Sequence, residues 1–131
     1  MDSLYGKHNG VDEITHQHIQ KIGQQWKIKN WPKGRHGFLL VYAPWCGFCH
    51  DPSFIQSNIT YQQQVAPRLH SHLVAMNSEF PGNSSILQQL NIDGFPTFLH
   101  VDPKGRLHPY QGGRSLVNRG LFIFDQSSSS L

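Results

Sequence analysis

Two cysteines stand three positions apart in the stretch Tyr-Ala-Pro-Trp-Cys-Gly-Phe-Cys-His-Asp-Pro, residues 42–52, and the chain holds no others. Cys46 and Cys49, separated by Gly47 and Phe48, admit three chemistries. A close dithiol can cycle between two thiols and a disulfide. Two thiolates can form half of a zinc site, with His50, His70, His72 or another histidine completing the four ligands. Buried cysteines can also be inert core residues. The chain has 9 histidines, so nitrogen ligands are not scarce. Yet there is no second Cys-x-x-Cys and no histidine pair at finger spacing, and no metal is expected.

The elements around the pair bear on the choice. Residues 38–43, Phe-Leu-Leu-Val-Tyr-Ala, form an unbroken apolar run of strand length. A strand without alternation is buried on both faces, as at the centre of an α/β sheet. The cysteines follow at once. Asp51 then suits a helix cap and Pro52 a first helical position, with Pro67 expected to end that segment. Residues 72–79 read as a second strand, 83–92 as a short helix and 96–102 as a third strand. Pro103-Lys104-Gly105 is a turn, and 106–113 is a returning strand that Pro109 confines to an edge or bulge.

Upstream, Val11, Ile14, His18, Ile22 and Trp26 recur at steps of three and four, which predicts a helix ending near Lys29. Trp31 is expected against the loop before the first strand. Downstream, residues 116–125 predict a last helix with Leu116, Gly120, Leu121 and Phe124 facing inward, although Leu-Phe-Ile-Phe alone could be a strand. Residues 1–10 read as a flexible lead-in and 126–131 as a low-complexity serine tail. The order helix, strand, helix, strand, helix, strand, strand, helix indicates one three-layer α/β domain over 1–131.

On this map Cys46 falls just past the end of a buried strand, where reactive sites of open sheets gather. It also falls at an expected helix N-terminus, whose free N–H groups favour a thiolate, the species that attacks disulfides. Cys46 is then the nucleophile, and Cys49, one turn on, the resolving thiol. Trp45 and Phe48 would form an apolar collar, and Gly47 would let a substrate backbone approach.

Bulk properties exclude some classes. The chain has 131 residues and a formal charge of +3, with no Lys/Arg cluster of the kind that binds nucleic acid. No apolar run approaches the ~20 residues that span a membrane. The first ten residues lack a signal-peptide pattern. A cytoplasmic setting follows if Met1 is native, and an oxidising compartment, periplasm or secretory lumen, if an export signal was removed.

Taken together, residues 37–116 resemble the thioredoxin superfamily and, within it, the catalytic domains of protein disulfide isomerases. Tyr-Ala-Pro-Trp-Cys-Gly-Phe-Cys is close to the isomerase signature, with Phe48 where histidine is usual. Gly-Phe-Pro-Thr, residues 94–97, resembles the family loop whose proline is cis and faces the dithiol. Tyr-Gln-Gly-Gly-Arg-Ser, residues 110–115, resembles the isomerase segment that carries an arginine before the last helix. The resemblance implies a thioredoxin fold, a central mixed sheet with helices on both faces. It implies catalysis by Cys46 and Cys49, with Phe95, Pro96 and Thr97 receiving a substrate strand and Arg114 assisting Cys49. No cofactor beyond a Cys46–Cys49 disulfide is implied. The partners would be protein thiols and disulfides and an upstream electron donor or acceptor, acting on a monomer.

The chain also departs from the pattern. Leu40 stands where the family has a buried acid, and Ala75 where thioredoxins have the facing lysine. Pro52 comes three residues after Cys49 instead of five, so the helix should bend early or restart at Asp51. His50 replaces a usual lysine and is expected in solvent. The missing acid keeps open a rival role, a substrate-binding or chaperone-like module with weak exchange.

Overall fold

A computed structural model describes residues 3–6 and 9–129. Its strands are β1 (Asp12–Glu13), β2 (Ile19–Ile22), β3 (Gln25–Ile28), β4 (His36–Tyr42), β5 (Ser71–Asn77), β6 (Thr97–Val101) and β7 (Leu107–Pro109). The α-helices are α1 (Pro52–Thr60), α2 (Asn83–Gln89) and α3 (Leu116–Ser129). Five strands form one mixed sheet in the order β1-β5-β4-β6-β7. Strand β4 is parallel to β5 and antiparallel to β6, and β6 is antiparallel to β7.

The unbroken apolar run is explained by two cores. Phe38, Leu40 and Tyr42 face one core with Phe54 of α1 and Ile123 of α3. Leu39 and Val41 face the other, with Leu87 of α2 and the isoleucines Ile19 and Ile28. Every residue of β4 is buried. Each large apolar side chain so buried contributes roughly 1.5–3 kcal/mol against exposure, and helices do cover both faces of the sheet. Trp31 lies against the start of β4 as expected. Its Nε1 donates to the Arg35 carbonyl at 2.7 Å, and its ring fills the space a side chain at Gly37 would need.

The helix expected over 11–29 is absent. In its place are the two-residue β1 beside β5, a single 3₁₀ turn (His16–His18) and the β2–β3 hairpin. Gly23 opens the two-residue hairpin loop with φ 62, a conformation that glycine adopts freely and that suits a type II′ turn. Pairing Ile19 with Ile28 buries both against the second core, while Ile22, expected inside, is 53% exposed. The three-and-four spacing was real, but strand alternation buries the better pair.

Residues 3–6, expected in a flexible lead-in, dock on the core. The Tyr5 backbone N–H donates to Glu13 Oε2 at 2.9 Å, and the Leu4 N–H to the Tyr42 hydroxyl at 3.0 Å. At the other end, residues 126–129 continue α3 instead of forming a tail, while 130 and 131 lie outside the described residues. Helix α3 is rotated from its expected phase. Ile123 and Arg119 are buried, whereas Leu121 and Phe124 are exposed. Four consecutive apolar residues leave a helix's phase undetermined. Downstream of α1 the chain continues as a π turn (Tyr61–Val65) and a 3₁₀ turn (Ala66–Leu69), so Pro67 does not end the helical path.

At the pole of the sheet where β4 begins, three histidines meet. His36 Nδ1 lies 3.3 Å from His100 Nε2 with the rings stacked, and the His108 ring lies 5.8 Å from that of His100. His108 Nε2 sits 2.8 Å from Asp102 Oδ2, which also accepts from Arg106 Nε at 2.6 Å. Burial lowers the proton affinity of His36 and takes His100 down from 6.5 to about 4. Despite its burial, hydrogen bonds from His108, Arg106 and Lys104 hold the Asp102 carboxyl at about 2.

Both histidines bind protons more readily unfolded than folded. Their contribution is therefore complete above pH 6.5 and is lost as pH falls toward 4. Asp102 adds a loss of the same sign only lower, between 3.8 and about 2. The urea midpoint should fall steadily between pH 7 and pH 4.5, and His100→Phe should flatten that slope.

Candidate active site

Strand β4 ends at Tyr42 and the chain turns over the edge of the sheet. The Cys46 N–H donates to the Ala43 carbonyl at 3.0 Å, the His50 N–H to the Cys46 carbonyl at 3.3 Å and the Asp51 N–H to the Phe48 carbonyl at 3.2 Å. This is one helical turn that does not continue. Asp51 is extended (ψ 126), its carboxylate accepts from the Phe54 N–H at 3.2 Å, and Pro52 is the first residue of α1. The expected helix start at Cys46 is thus corrected to Pro52. The cause is local, because proline disfavours helical geometry in the residue before it.

The turn aims two sulfurs differently. Cys46 is half-buried. Its Sγ receives the Cys49 N–H at 3.2 Å and donates to the Phe95 carbonyl at 3.6 Å. Cys49 is fully buried behind it. That burial pushes the Cys49 thiol up to about 12, helped by its contact with Cys46, while the Ala43 backbone and Arg114 pull the other way. The Phe95–Pro96 peptide is cis, and Thr97 Oγ1 ties the loop by donating to the Gly94 carbonyl at 2.7 Å.

Other sequence-selected residues flank the pair. The Trp45 ring, 66% exposed, meets Phe95 edge-on at 5.7 Å. A groove of about 210 Å³ opens beside them, lined by Trp45, Glu79, Leu87, Gln88, Ile92 and Phe95. On the opposite flank Phe48 packs on Phe54 at 4.8 Å, and the Arg114 guanidinium lies 4.2 Å above the Phe48 ring. Gly47 is exposed, with nothing within 4 Å of where a side chain would begin. His50 is in solvent. Leu40 sits beside Ala75 and Phe98 in the sheet, all buried in the core cluster that holds Cys49, so this floor is apolar. Among the described residues no group of three His, Cys, Asp or Glu side chains could hold a metal.

The sequence reading missed two residues here. Glu79 accepts from Trp45 Nε1 at 2.7 Å. An acid just past the end of a strand parallel to β4 was the available signal. Arg119 is entirely buried, reaches Asn58 Oδ1 at 2.9 Å and stacks 4.2 Å from Phe98. A helix phased on Leu116, Gly120, Leu121 and Phe124 gives no reason to single out Arg119.

Solved structures share this arrangement of elements. The first thioredoxin domain of mouse protein disulfide-isomerase A4 superposes with a TM-score of 0.62, covering 96% of this chain and 82% of that one at 20% identity. This is a thioredoxin fold. Thioredoxin f2 of Chlamydomonas reinhardtii also gives a TM-score of 0.62, over 89% of this chain and 96% of that one at 18% identity. By sequence, this thioredoxin-fold chain is 29% identical over 100 residues to a mitochondrial thioredoxin domain-containing protein of Schizosaccharomyces pombe, covering 71% of this chain and 26% of that protein. It is 30% identical over 83 residues to a protein disulfide-isomerase of Datisca glomerata, covering 63% of this chain and 15% of that protein. These relatives support the resemblance to the thioredoxin superfamily and its isomerase domains, and the chain spans about a quarter or less of their length. No family model matches it.

Arg114 is the cation whose charge reaches Cys49 from the exposed side. In a Cys46→Ser background, Arg114→Ala should slow alkylation of Cys49 by iodoacetamide about two- to fivefold, the scale of a screened surface charge. Added salt should shrink the difference.

Proposed function

We propose that this chain is a thiol–disulfide oxidoreductase that exchanges disulfides with protein substrates through Cys46-Gly47-Phe48-Cys49. One observation carries the reading. A half-exposed sulfur lies between the Cys49 N–H and the Phe95 carbonyl, with a second thiol buried behind it.

In the reducing direction the Cys46 thiolate attacks one sulfur of a substrate disulfide. The substrate S–S bond breaks, and the departing sulfur leaves as a thiolate that takes a proton from water. Cys49, once ionised, attacks Cys46 Sγ and releases the second substrate sulfur. The protein is left with a Cys46–Cys49 disulfide, which an upstream donor must reduce. Run backwards, the same steps oxidise a substrate dithiol. A substrate strand passing Cys46 would exchange its own N–H for the weak S–H donor now at the Phe95 carbonyl, beside Pro96 and Thr97. Its neighbouring side chain would enter the groove between Trp45 and Ile92.

Phe48 offers no charge or donor to a thiolate. The potential should therefore lie below that of an isomerase domain, within the span from thioredoxin to protein disulfide isomerase, about −270 to −180 mV. The relatives' names, several protein disulfide-isomerases and one mitochondrial protein, support an oxidising compartment. Among the described residues no helix is long and apolar enough to cross a membrane.

Insulin reduction tests the activity. Cys46→Ser should lower turnover by about 100-fold or more, the scale of a lost catalytic group. Cys49→Ser should accumulate a mixed disulfide at Cys46. A parent protein that binds reduced, alkylated insulin chains yet turns over no disulfide would instead mark a binding module. Titration against glutathione checks the potential.

A further inference from the structure

Three polar side chains lie buried in the core. Arg119 and Asn58 are 0% exposed and Tyr5 2%. Their polarity follows from donor chemistry alone. A guanidinium only donates, so Asn58 must turn Oδ1 toward Arg119 Nη2, 2.9 Å away. That commits Asn58 Nδ2 to the Tyr5 hydroxyl at 3.1 Å. The Tyr5 oxygen accepts, and its own proton is left to donate away from Asn58. Cation, amide and hydroxyl thus point their donors in one sense along the chain of contacts. Tyr5 belongs to the same core cluster as Cys49. Burial raises the Tyr5 hydroxyl most and the Asn58 hydrogen bond lowers it, with smaller effects from an ionised Cys49, which raises it, and Arg119, which lowers it.

Among the described residues no carboxylate answers Arg119. Nη1 donates to the Arg114 carbonyl at 3.1 Å, the guanidinium faces the rings of Phe98 at 4.2 Å and Tyr61 at 5.1 Å, and among the described residues Nε has no partner. The groups whose charge reaches it are the phenols Tyr61, Tyr110 and Tyr5. Burial lowers its proton affinity only to about 10, so it is a cation at neutral pH. Burying a cation without a counter-ion is costly, and an apolar side chain of similar volume is often the more stable choice. Meanwhile the apolar Leu40 and Ala75 leave the floor beside Cys49 without charge. The groups whose charge reaches Cys49 are Cys46 and Arg114, and Cys49 in turn acts on Tyr5. Glu13 acts at one remove, accepting from the Tyr42 hydroxyl at 2.7 Å.

We infer that Arg119, acting through Asn58 and the Tyr5 hydroxyl, stabilises negative charge on Cys49 and so speeds the resolving step. Tyr5 and Arg119 are positioning residues, since neither touches substrate. The relay moves no proton. Cys49 loses its proton to solvent, its thiolate attacks Cys46 Sγ, the bond from Cys46 to the substrate sulfur breaks, and the substrate sulfur leaves with the electron pair and is protonated by water. The inference rests on the exchange activity proposed above.

Tyr5→Phe is the cleanest variant, because it keeps the ring and its edge contact with Tyr42 at 5.7 Å. Resolution of a mixed disulfide between Cys46 and a fluorescent peptide is followed by stopped flow from pH 6 to 9. Tyr5→Phe and Arg119→Met should each displace the rate–pH profile downward by about three- to fourfold, the net of one unit of Cys49 acidity after the gain in thiolate nucleophilicity. Arg119→Lys should recover most of the loss. The glutathione equilibrium at pH 7 should stay within about twofold of the parent, because Cys49 is a protonated thiol there in every variant. Rates within twofold of the parent in folded Tyr5→Phe overturn the inference, and that variant decides alone if Arg119→Met does not fold. A lysine variant as slow as methionine, or an equilibrium that moves with the rate, also overturns it. A parent that exchanges no disulfide removes the proposed function instead. Iodoacetamide alkylation of Cys49 in Cys46→Ser, with and without Tyr5→Phe, then still tests the relay, and an unchanged rate overturns it.

Discussion

The site depends on the burial of β4 along both faces and both edges. A strand held between β5 and β6, and between two cores, has no freedom to slide, since a one-residue shift would exchange its two sets of side chains. Where that strand stops is therefore fixed, and so is the turn that follows. Cys46 and the Phe95 carbonyl meet because β4 and β6 are paired neighbours whose ends lie at the same pole. Solvent exposure then divides the labour between the sulfurs. One stands at the surface, and the other is shielded by the same core that anchors the strand.

The two poles of the sheet carry opposite electrostatic designs. At the dithiol end, charge is sparse, with Glu79 held on the Trp45 indole and Arg114 over the Phe48 ring. At the other end, His36, His100, His108 and Asp102 crowd together with Arg106, and their protonation bears on stability. Among the described residues, His36, His100 and His108 make no hydrogen bond or ring contact with Cys46 or Cys49. Acid should therefore act on the fold from one end and on sulfur chemistry from the other.

What could be read from the sequence was whatever rests on local chemistry. The apolar run of β4, the Asp51-Pro52 cap and the Pro103–Gly105 turn follow from short stretches whose residues act on their neighbours, while the placing of Phe95–Thr97 beside Cys46 came from the family resemblance. The errors came where distant packing chose between local options. Residues 11–29 carry a spacing that serves a helix or a hairpin, and the second core selects the hairpin because it accepts Ile19 and Ile28 together. Helix α3 is apolar on several sides, so only Asn58 and Phe98, far away in the chain, reveal that Arg119 points inward. Tyr5 looked unanchored because its partners, Glu13, Tyr42 and Asn58, lie on three different elements.

The extended residue at Asp51 separates the cysteine turn from α1 as a mechanical unit. Residues 46–50 share no continuous hydrogen-bond ladder with the helix that follows. When the sulfurs join or part, the backbone adjustment can be absorbed within those five residues. Helix α1, and with it the packing of Phe54 and Asn58, need not shift its axis between the two oxidation states.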